Sequence, residues 1–263
     1  MARRRVTFPK IGEKHSLDPV FSARIAVPQF YPGGKVPKVP RKAVLIFDRK
    51  MEERMARKDW LRDSAGMYAM SRRDLKAADG SMGVFRIAIG APMTAMAVEE
   101  LSAQGAEEFL ILGTAGGVVA PAPGELVLCT KALRDEGTSH HYLPESRYAY
   151  PDRSLVRRLG AAMKKAGMRF SAGPSWTTDA PYRETGKEVA RYHRDGVLTV
   201  EMEAAALFAS ARALGASAAA VFMVSDRLTP DGWSGFVKGR RPAELEELAA
   251  VADVFRSLGP GKR

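Results

Sequence analysis

Short apolar runs bounded by glycine, proline or polar clusters recur along this chain, and stretches with apolar positions three and four apart separate them. The first run, residues 43–47 (Ala-Val-Leu-Ile-Phe), predicts a core strand, and a helix is expected over 52–62. Residues 83–89 predict a second strand, ending at Gly90-Ala91-Pro92. Pro92 suits the first turn of the next helix, over 94–104, which stops at Gly105. Further strands are predicted over 109–112, 126–130, 170–178, 197–200 and 218–224, and further helices over 154–166, 204–214 and 242–258. Strands alternating with helices predict an α/β fold: a single domain with a mixed, mostly parallel central sheet flanked by helices. Residues 1–41 are rich in proline and basic side chains, which argues against a helix or central strand there. We read them as an extended basic arm, laid over its own surface or a neighbouring subunit, and residues 42–263 as one catalytic domain.

The most informative stretch is Val200-Glu201-Met202-Glu203-Ala204-Ala205-Ala206. An apolar run ends in two carboxylates, and an alanine-rich helical run follows. Unpaired N–H groups and the dipole favour negative charge at a helix N-terminus. Small residues also let such a helix lie close on a sheet, which puts carboxylates at the strand ends where open α/β folds bind ligands. Four more polar clusters follow apolar strands: Gly113–Gly117, residues 134–142, residues 177–184, and Ser225-Asp226. The glycine-rich one reads as a turn in which Thr114 offers a hydroxyl and backbone N–H groups can approach an anion.

Composition narrows the classes. With 263 residues, 46% of them hydrophobic, the chain can bury a large core without staples. The lone Cys129 excludes an internal disulfide and a cysteine-cluster metal site, and its apolar surroundings predict a buried structural thiol. No metal site and no cofactor are expected. No apolar run is long enough for a membrane helix, and Met1-Ala-Arg-Arg-Arg5 leads into no apolar segment. A cytoplasmic protein is expected, with no membrane partner. The net charge of +11 raises nucleic-acid binding, but the basic runs are scattered and lack interleaved aromatics, so that reading is disfavoured. A basic surface can instead steer small anions.

In this order, Ile89-Gly-Ala-Pro92, Ala97-Val-Glu-Glu-Leu101, Leu112-Gly-Thr-Ala-Gly116, the 134–142 loop, Thr177-Thr-Asp-Ala-Pro-Tyr-Arg-Glu184, Glu201-Met-Glu-Ala-Ala205 and Val224-Ser-Asp226 form a specific set. Through them the chain, over residues 43–228, resembles the nucleoside phosphorylase family. That family includes uridine phosphorylase, bacterial purine nucleoside phosphorylase and the methylthioadenosine nucleosidases. The resemblance implies a three-layer sandwich and cleavage of a nucleoside N-glycosidic bond, with phosphate as co-substrate or water as acceptor. It implies a pentosyltransferase of purine or pyrimidine salvage, or a nucleosidase. It also implies a homo-oligomer, dimer or hexamer, with sites shared between subunits. A binding protein that has lost turnover is the remaining alternative.

Carried over by residue, Glu203 resembles the acceptor for the ribose hydroxyls, Met202 the side chain under the sugar, and Glu201 their support. His141 either reaches the sugar or braces its loop. Asp226 resembles the acid facing the base, and Thr178, Asp179 and Tyr182 lie where the family builds its base pocket. These types suit an oxocarbenium-like transition state and a leaving base that gathers negative charge. Gly113 and Thr114 match the family's phosphate-side residues. Its phosphate arginines do not match. The family's Gly-Asp-Pro-x-Arg stretch here reads Phe47-Asp48-Arg49-Lys50-Met51, and Ile111 stands where an arginine is usual. Arg49, Arg72, Arg73 and Arg86 are the candidate substitutes. The uracil-reading Gln and Arg are also absent, since that stretch reads Thr185-Gly186-Lys187.

Overall fold

β1 (Lys42–Ile46) lies at the centre of an 11-stranded sheet, hydrogen-bonded in parallel to β4 (Met82–Arg86) on one side and β5 (Glu108–Val118) on the other. Alternation along β1 and β5 sorts their side chains to two faces. Ala43, Leu45, Phe109 and Ile111 pack towards α3 (Ala91–Ala103) and α7 (Ala204–Ala213). Val44, Ile46, Leu110 and Leu112 pack towards α2 (Arg49–Met55), α5 (Arg153–Lys165) and α8 (Pro242–Ser257). The layers are therefore helix, sheet, helix. The computed structural model describes residues 13–64, 74–235 and 242–259. Arg72, Arg73 and the basic runs at 3–5 and 238–241 lie outside the described residues.

Beyond β5 the sheet curls. β9 (Thr199–Glu201) pairs antiparallel with β5 and parallel with β8 (Phe170–Thr178), which pairs in parallel with β6 (Leu126–Asp135). β6 meets β10 (Ser217–Thr229), and β10 runs parallel to β5. The path β5–β9–β8–β6–β10 thus returns to its start as a closed ring. β7 (Tyr148–Ala149) and β11 (Gly232–Trp233) are short additions to β6 and β10. At the open edge, β2 (Leu61–Ser64) and β3 (Asp74–Ala77) extend the sheet antiparallel from β4.

The ring explains the glycine-rich cluster, which is not the expected turn: Gly113, Gly116 and Gly117 all lie within β5. A Cβ on Gly117 would sit 2.5 Å from the Pro121 carbonyl oxygen. One on Gly116 would sit 2.8 Å from Leu228 Cδ1 and 3.1 Å from Val200 Cγ1. These glycines let three strands close together and supply no anion-binding turn.

Several elements differ from the sequence expectation. The 52–62 helix is α2, which ends at Met55, and Leu61 already belongs to β2. β6 and β10 run on past their apolar stretches. The 134–144 loop contains α4 (Ser139–Tyr142), organised by buried Arg134, whose guanidinium donates to Ser139 Oγ at 2.8 Å, Ser146 Oγ at 2.7 Å and the carbonyls of Leu143 and Pro144 at 3.1 and 2.6 Å. The described part of the arm forms single helical turns, including α1 (Ala23–Ala26), with prolines at the first positions of two of them, where no N–H is needed. It lies against its own chain: α1 packs on α3, Val27 is buried, and His15 Nε2 donates to the His140 carbonyl at 3.1 Å. Cys129 is a buried free thiol whose pKa burial raises, so it is structural. Among the described residues no helix is long and apolar enough to cross a membrane.

Candidate active site

The carboxyl ends of β1, β5, β8, β9 and β10 open onto one cavity of about 900 Å³. Its lining includes Phe47, Gly113, Thr114, Thr178, Tyr182, Glu184, Glu201, Met202, Glu203, Ser225, Asp226 and Trp233. Ligands in α/β folds gather at such strand ends.

The floor is the β9–α7 corner. Glu201 is buried and its oxygens are fully engaged. Oε1 accepts from Thr177 Oγ1 at 2.6 Å and Ser175 Oγ at 3.1 Å, and Oε2 accepts from the backbone N–H of Ala204 at 2.6 Å and Glu203 at 2.7 Å. It caps α7 and fixes the turn that presents Glu203. Glu203 accepts from Gly90 N–H at 2.7 Å and Met202 N–H at 3.2 Å. Gly90, at φ 113°, is the N-cap of α3, a conformation L side chains rarely adopt, so glycine is required to aim that N–H. Glu203 therefore sits where the N-termini of two helices meet, yet burial, with Glu201 beside it, pushes its carboxyl up to about 8. Burial also raises Glu201, against its four donors. The two compete for one negative charge, and the donor count gives it to Glu201.

The facing wall is β10. Its pairing with β5 shifts between Val224 and Asp226, so Ser225 is bulged. Bulges re-aim side chains and cluster at active sites. Here the bulge turns Asp226 into the cavity, where Oδ1 accepts from Ser225 Oγ at 2.6 Å and Oδ2 from Trp233 Nε1 at 2.7 Å. Gly116 lies between this wall and the floor. It pairs with both Val200 and Asp226, and a Cβ there would be 3.3 Å from Asp226 Oδ2. Glu203 and Asp226 thus line one cavity, as the sequence reading required.

The other residues named from the sequence divide. Thr178 lines the cavity, with its hydroxyl accepting from Ala180 N–H at 3.1 Å, and Tyr182, 99% exposed, stands at the mouth. Asp179 is turned away to Gly137 N–H at 2.8 Å, and His141 is exposed on α4; neither is among the lining residues. Gly113 and Thr114 line the cavity, but Arg49 and Arg86 do not. Arg49 is exposed beside Glu53 at 3.2 Å, and Arg86 is paired with buried Glu52 at 2.8 Å. The Phe47 ring would lie 3.4 Å from a Cβ on Gly113. No lysine or arginine is among the described lining residues, whereas Asp48, Glu184, Glu201, Glu203, Asp226 and Asp231 are.

The sequence reading assigned no role to Glu184 or to the hairpin tip, residues 229–233. Both line the cavity. The available signal for Glu184 was its place between the 177–183 motif and the Thr185-x-x-Glu188 capping box that starts α6 (Gly186–Arg194). Burial, then the charges of Asp226 and Glu188, push Glu184 up to about 7.

The family model described as "Phosphorylase superfamily" matches residues 74–256. This chain belongs to that superfamily. A guanosine phosphorylase of Halorubrum lacusprofundi is 37% identical over 148 residues, 56% of this chain and 61% of that protein. A uridine phosphorylase of Thermococcus kodakarensis is 32% identical over 156 residues, 54% of this chain and 56% of its own length. The chain thus spans about six-tenths of the length of the curated relatives it matches. Among solved structures, uridine phosphorylase from Vibrio fischeri superposes with TM-score 0.68 at 20% identity, over 83% of this chain and 91% of that one. Purine nucleoside phosphorylase from Toxoplasma gondii in complex with immucillin-H gives TM-score 0.72 at 18% identity, over 84% and 91%. At these identities the superpositions show the fold alone, and membership rests on the family model.

Proposed function

We propose that this protein cleaves the N-glycosidic bond of a nucleoside and passes the pentose to phosphate. The observation that carries the reading is one cavity with Glu203 on its floor and Asp226 on its wall. Glu203 accepts the ribose 2′- and 3′-hydroxyls, and Met202 lies under the sugar. Glu201 has no free lone-pair direction left for substrate and acts by holding the corner. As the bond breaks, positive charge grows on the sugar, and the one negative charge held by Glu201 and Glu203 below it stabilises that charge. Asp226, held by Ser225 and Trp233, faces the departing base and supplies the proton or hydrogen bond that its growing negative charge needs. Gly113 and Thr114 lie on the acceptor side of the sugar. Relatives named guanosine and uridine phosphorylase support phosphate as acceptor.

A second reading, with water as acceptor, is favoured by the cation-free described lining. A phosphate dianion among carboxylates needs charge-assisted donors, each worth roughly 1.5–3 kcal/mol. Under the first reading these donors come from outside the described residues or from a second subunit of a homo-oligomer. The test is base release from a nucleoside panel with and without phosphate. Strict phosphate dependence supports phosphorolysis. Equal rates without phosphate replace it with hydrolysis, and binding without release from any nucleoside would leave a binding protein.

A further inference from the structure

Trp233 is 57% exposed, yet its Nε1–H donates inward to Asp226 Oδ2 at 2.7 Å. The hairpin fixes that aim. β11 pairs Trp233 with Leu228 and Gly232 with Thr229, and Thr229 Oγ1 donates to the Gly232 carbonyl at 3.0 Å. Ser234, the next residue, ties back twice: its N–H donates to the Arg227 carbonyl at 2.9 Å, and its hydroxyl accepts from Arg227 N–H at 3.1 Å. The turn rests on the start of α6, since a Cβ on Gly186 would lie 2.3 Å from the Pro230 carbonyl oxygen. The two donors on Asp226 differ in kind. An indole N–H only donates, whereas a hydroxyl both donates and accepts. The Ser225 hydroxyl also has a choice of acceptor, Asp226 Oδ1 at 2.6 Å or the Ala115 carbonyl at 3.2 Å.

We propose that Trp233 is a positioning residue that acts through Asp226: it keeps Oδ2 as the acceptor oxygen, so that Oδ1 carries the proton for the departing base. This deepens the nucleoside-cleavage reading above and rests on it. In the protonated acid the indole takes the carbonyl-type oxygen, the better acceptor, which leaves the O–H on Oδ1. Ser225 then turns its hydrogen to the Ala115 carbonyl. As the bond from the sugar C1′ to the base nitrogen breaks, its electron pair passes to the base. The Oδ1 proton moves to the base, and a phosphate oxygen bonds to C1′. Asp226 is left as a carboxylate. Trp233 already donates to it, and Ser225 swings back to Oδ1. Negative charge thus appears on Asp226 where donors are already aimed, which lowers the barrier to the transfer. Solvent at the cavity mouth restores the proton. The demand on Trp233 therefore scales with how much the leaving group needs a proton.

The experiment compares the full-length protein with Trp233→Phe, which keeps an aromatic ring and removes the N–H. Values of kcat and KM are measured for guanosine, inosine, adenosine and uridine. They are also measured for p-nitrophenyl β-D-riboside, whose phenolate departs without a proton, and melting curves check folding. The variant is expected to lower kcat on the best nucleoside by about 10- to 100-fold, the worth of one charge-assisted hydrogen bond, with little change in KM. The ratio of nucleoside kcat to nitrophenyl riboside kcat is expected to fall with it. A partly unfolded sample lowers both rates together and leaves the ratio alone, so the ratio reads the proton transfer. A wild type that cleaves both kinds of substrate, with a variant that keeps the wild-type ratio, makes Trp233 an anchor for the hairpin. That result overturns the proposal and leaves the cleavage reading intact. A wild type that cleaves none of these substrates overturns the cleavage reading, and this proposal with it.

Discussion

Replacing Glu203 by glutamine is expected to make the protein more stable at neutral pH while disabling it. The carboxyl of Glu203 is raised from an ordinary 4.5 to about 8. Between those values the folded protein binds a proton that the unfolded chain has released, so stability falls as pH rises through that window. At pH 7 the gap from 4.5 is about 2.5 units, or about 3 kcal/mol at 1.36 kcal/mol per unit. Glutamine removes that cost. Its carbonyl can still accept from Gly90 N–H, but its amide faces Met202 N–H, a loss of about 1 kcal/mol. The net gain of about 2 kcal/mol corresponds to a rise in Tm of roughly 4–8 °C for a domain near this size. At pH 5 the wild-type cost falls below about 1 kcal/mol, and the advantage should vanish. Turnover moves the other way. Glutamine turns an amide NH₂ towards one of the two ribose hydroxyls and leaves it without its acceptor, at roughly 1–3 kcal/mol, a loss of about 10- to 100-fold in kcat/KM. The assays are melting curves at pH 5 and 7 and base-release kinetics. A variant that melts lower at pH 7, or whose gain persists at pH 5, refutes the charge argument. Unchanged kinetics refute the diol role.

Asp226→Asn is expected to lower kcat by about 10²–10⁴, the range for a positioned proton donor, while the melting temperature stays within a few degrees; an unfolded variant would make this acid structural. Gly116→Ala is expected to destabilise the protein by about 1–3 kcal/mol and to impair turnover, because the new methyl presses on Leu228, Val200 and Asp226 at once; a denaturant titration that matches the wild type would show that the ring yields there.

The β9–α7 corner was legible because its signals are local: an apolar run, two acids and an alanine stretch occur in order. The glycines of β5 were misread because what they accommodate, Pro121, Leu228 and Val200, is remote in sequence and meets them only when the ring closes. β2, the edge strand, and β3, between it and β4, give weak sequence signals because each is four residues long and charged: Leu61-Arg-Asp-Ser64 does not alternate, and Asp74-Leu-Lys-Ala77 alternates over too few residues to stand out. Arg86 reads in the sequence as a cation available to phosphate, but its partner Glu52, on the helix after β1, is 34 positions away and carries no sequence signal of the pairing. Trp233 could not be linked to Asp226 from sequence, because a hairpin turn and a bulge together bring the indole to the acid.

The wall of the cavity and its rim answer to different constraints. Five strands brace one another all the way round, so the frame does not depend on any one connecting segment at the mouth. The tip near Pro230 and the turn ahead of α6 can therefore exchange side chains, and even lengths, without loosening the corner that carries Glu203. Such an arrangement lets a lineage change which molecules the cavity admits while the β9–α7 corner underneath stays as it is.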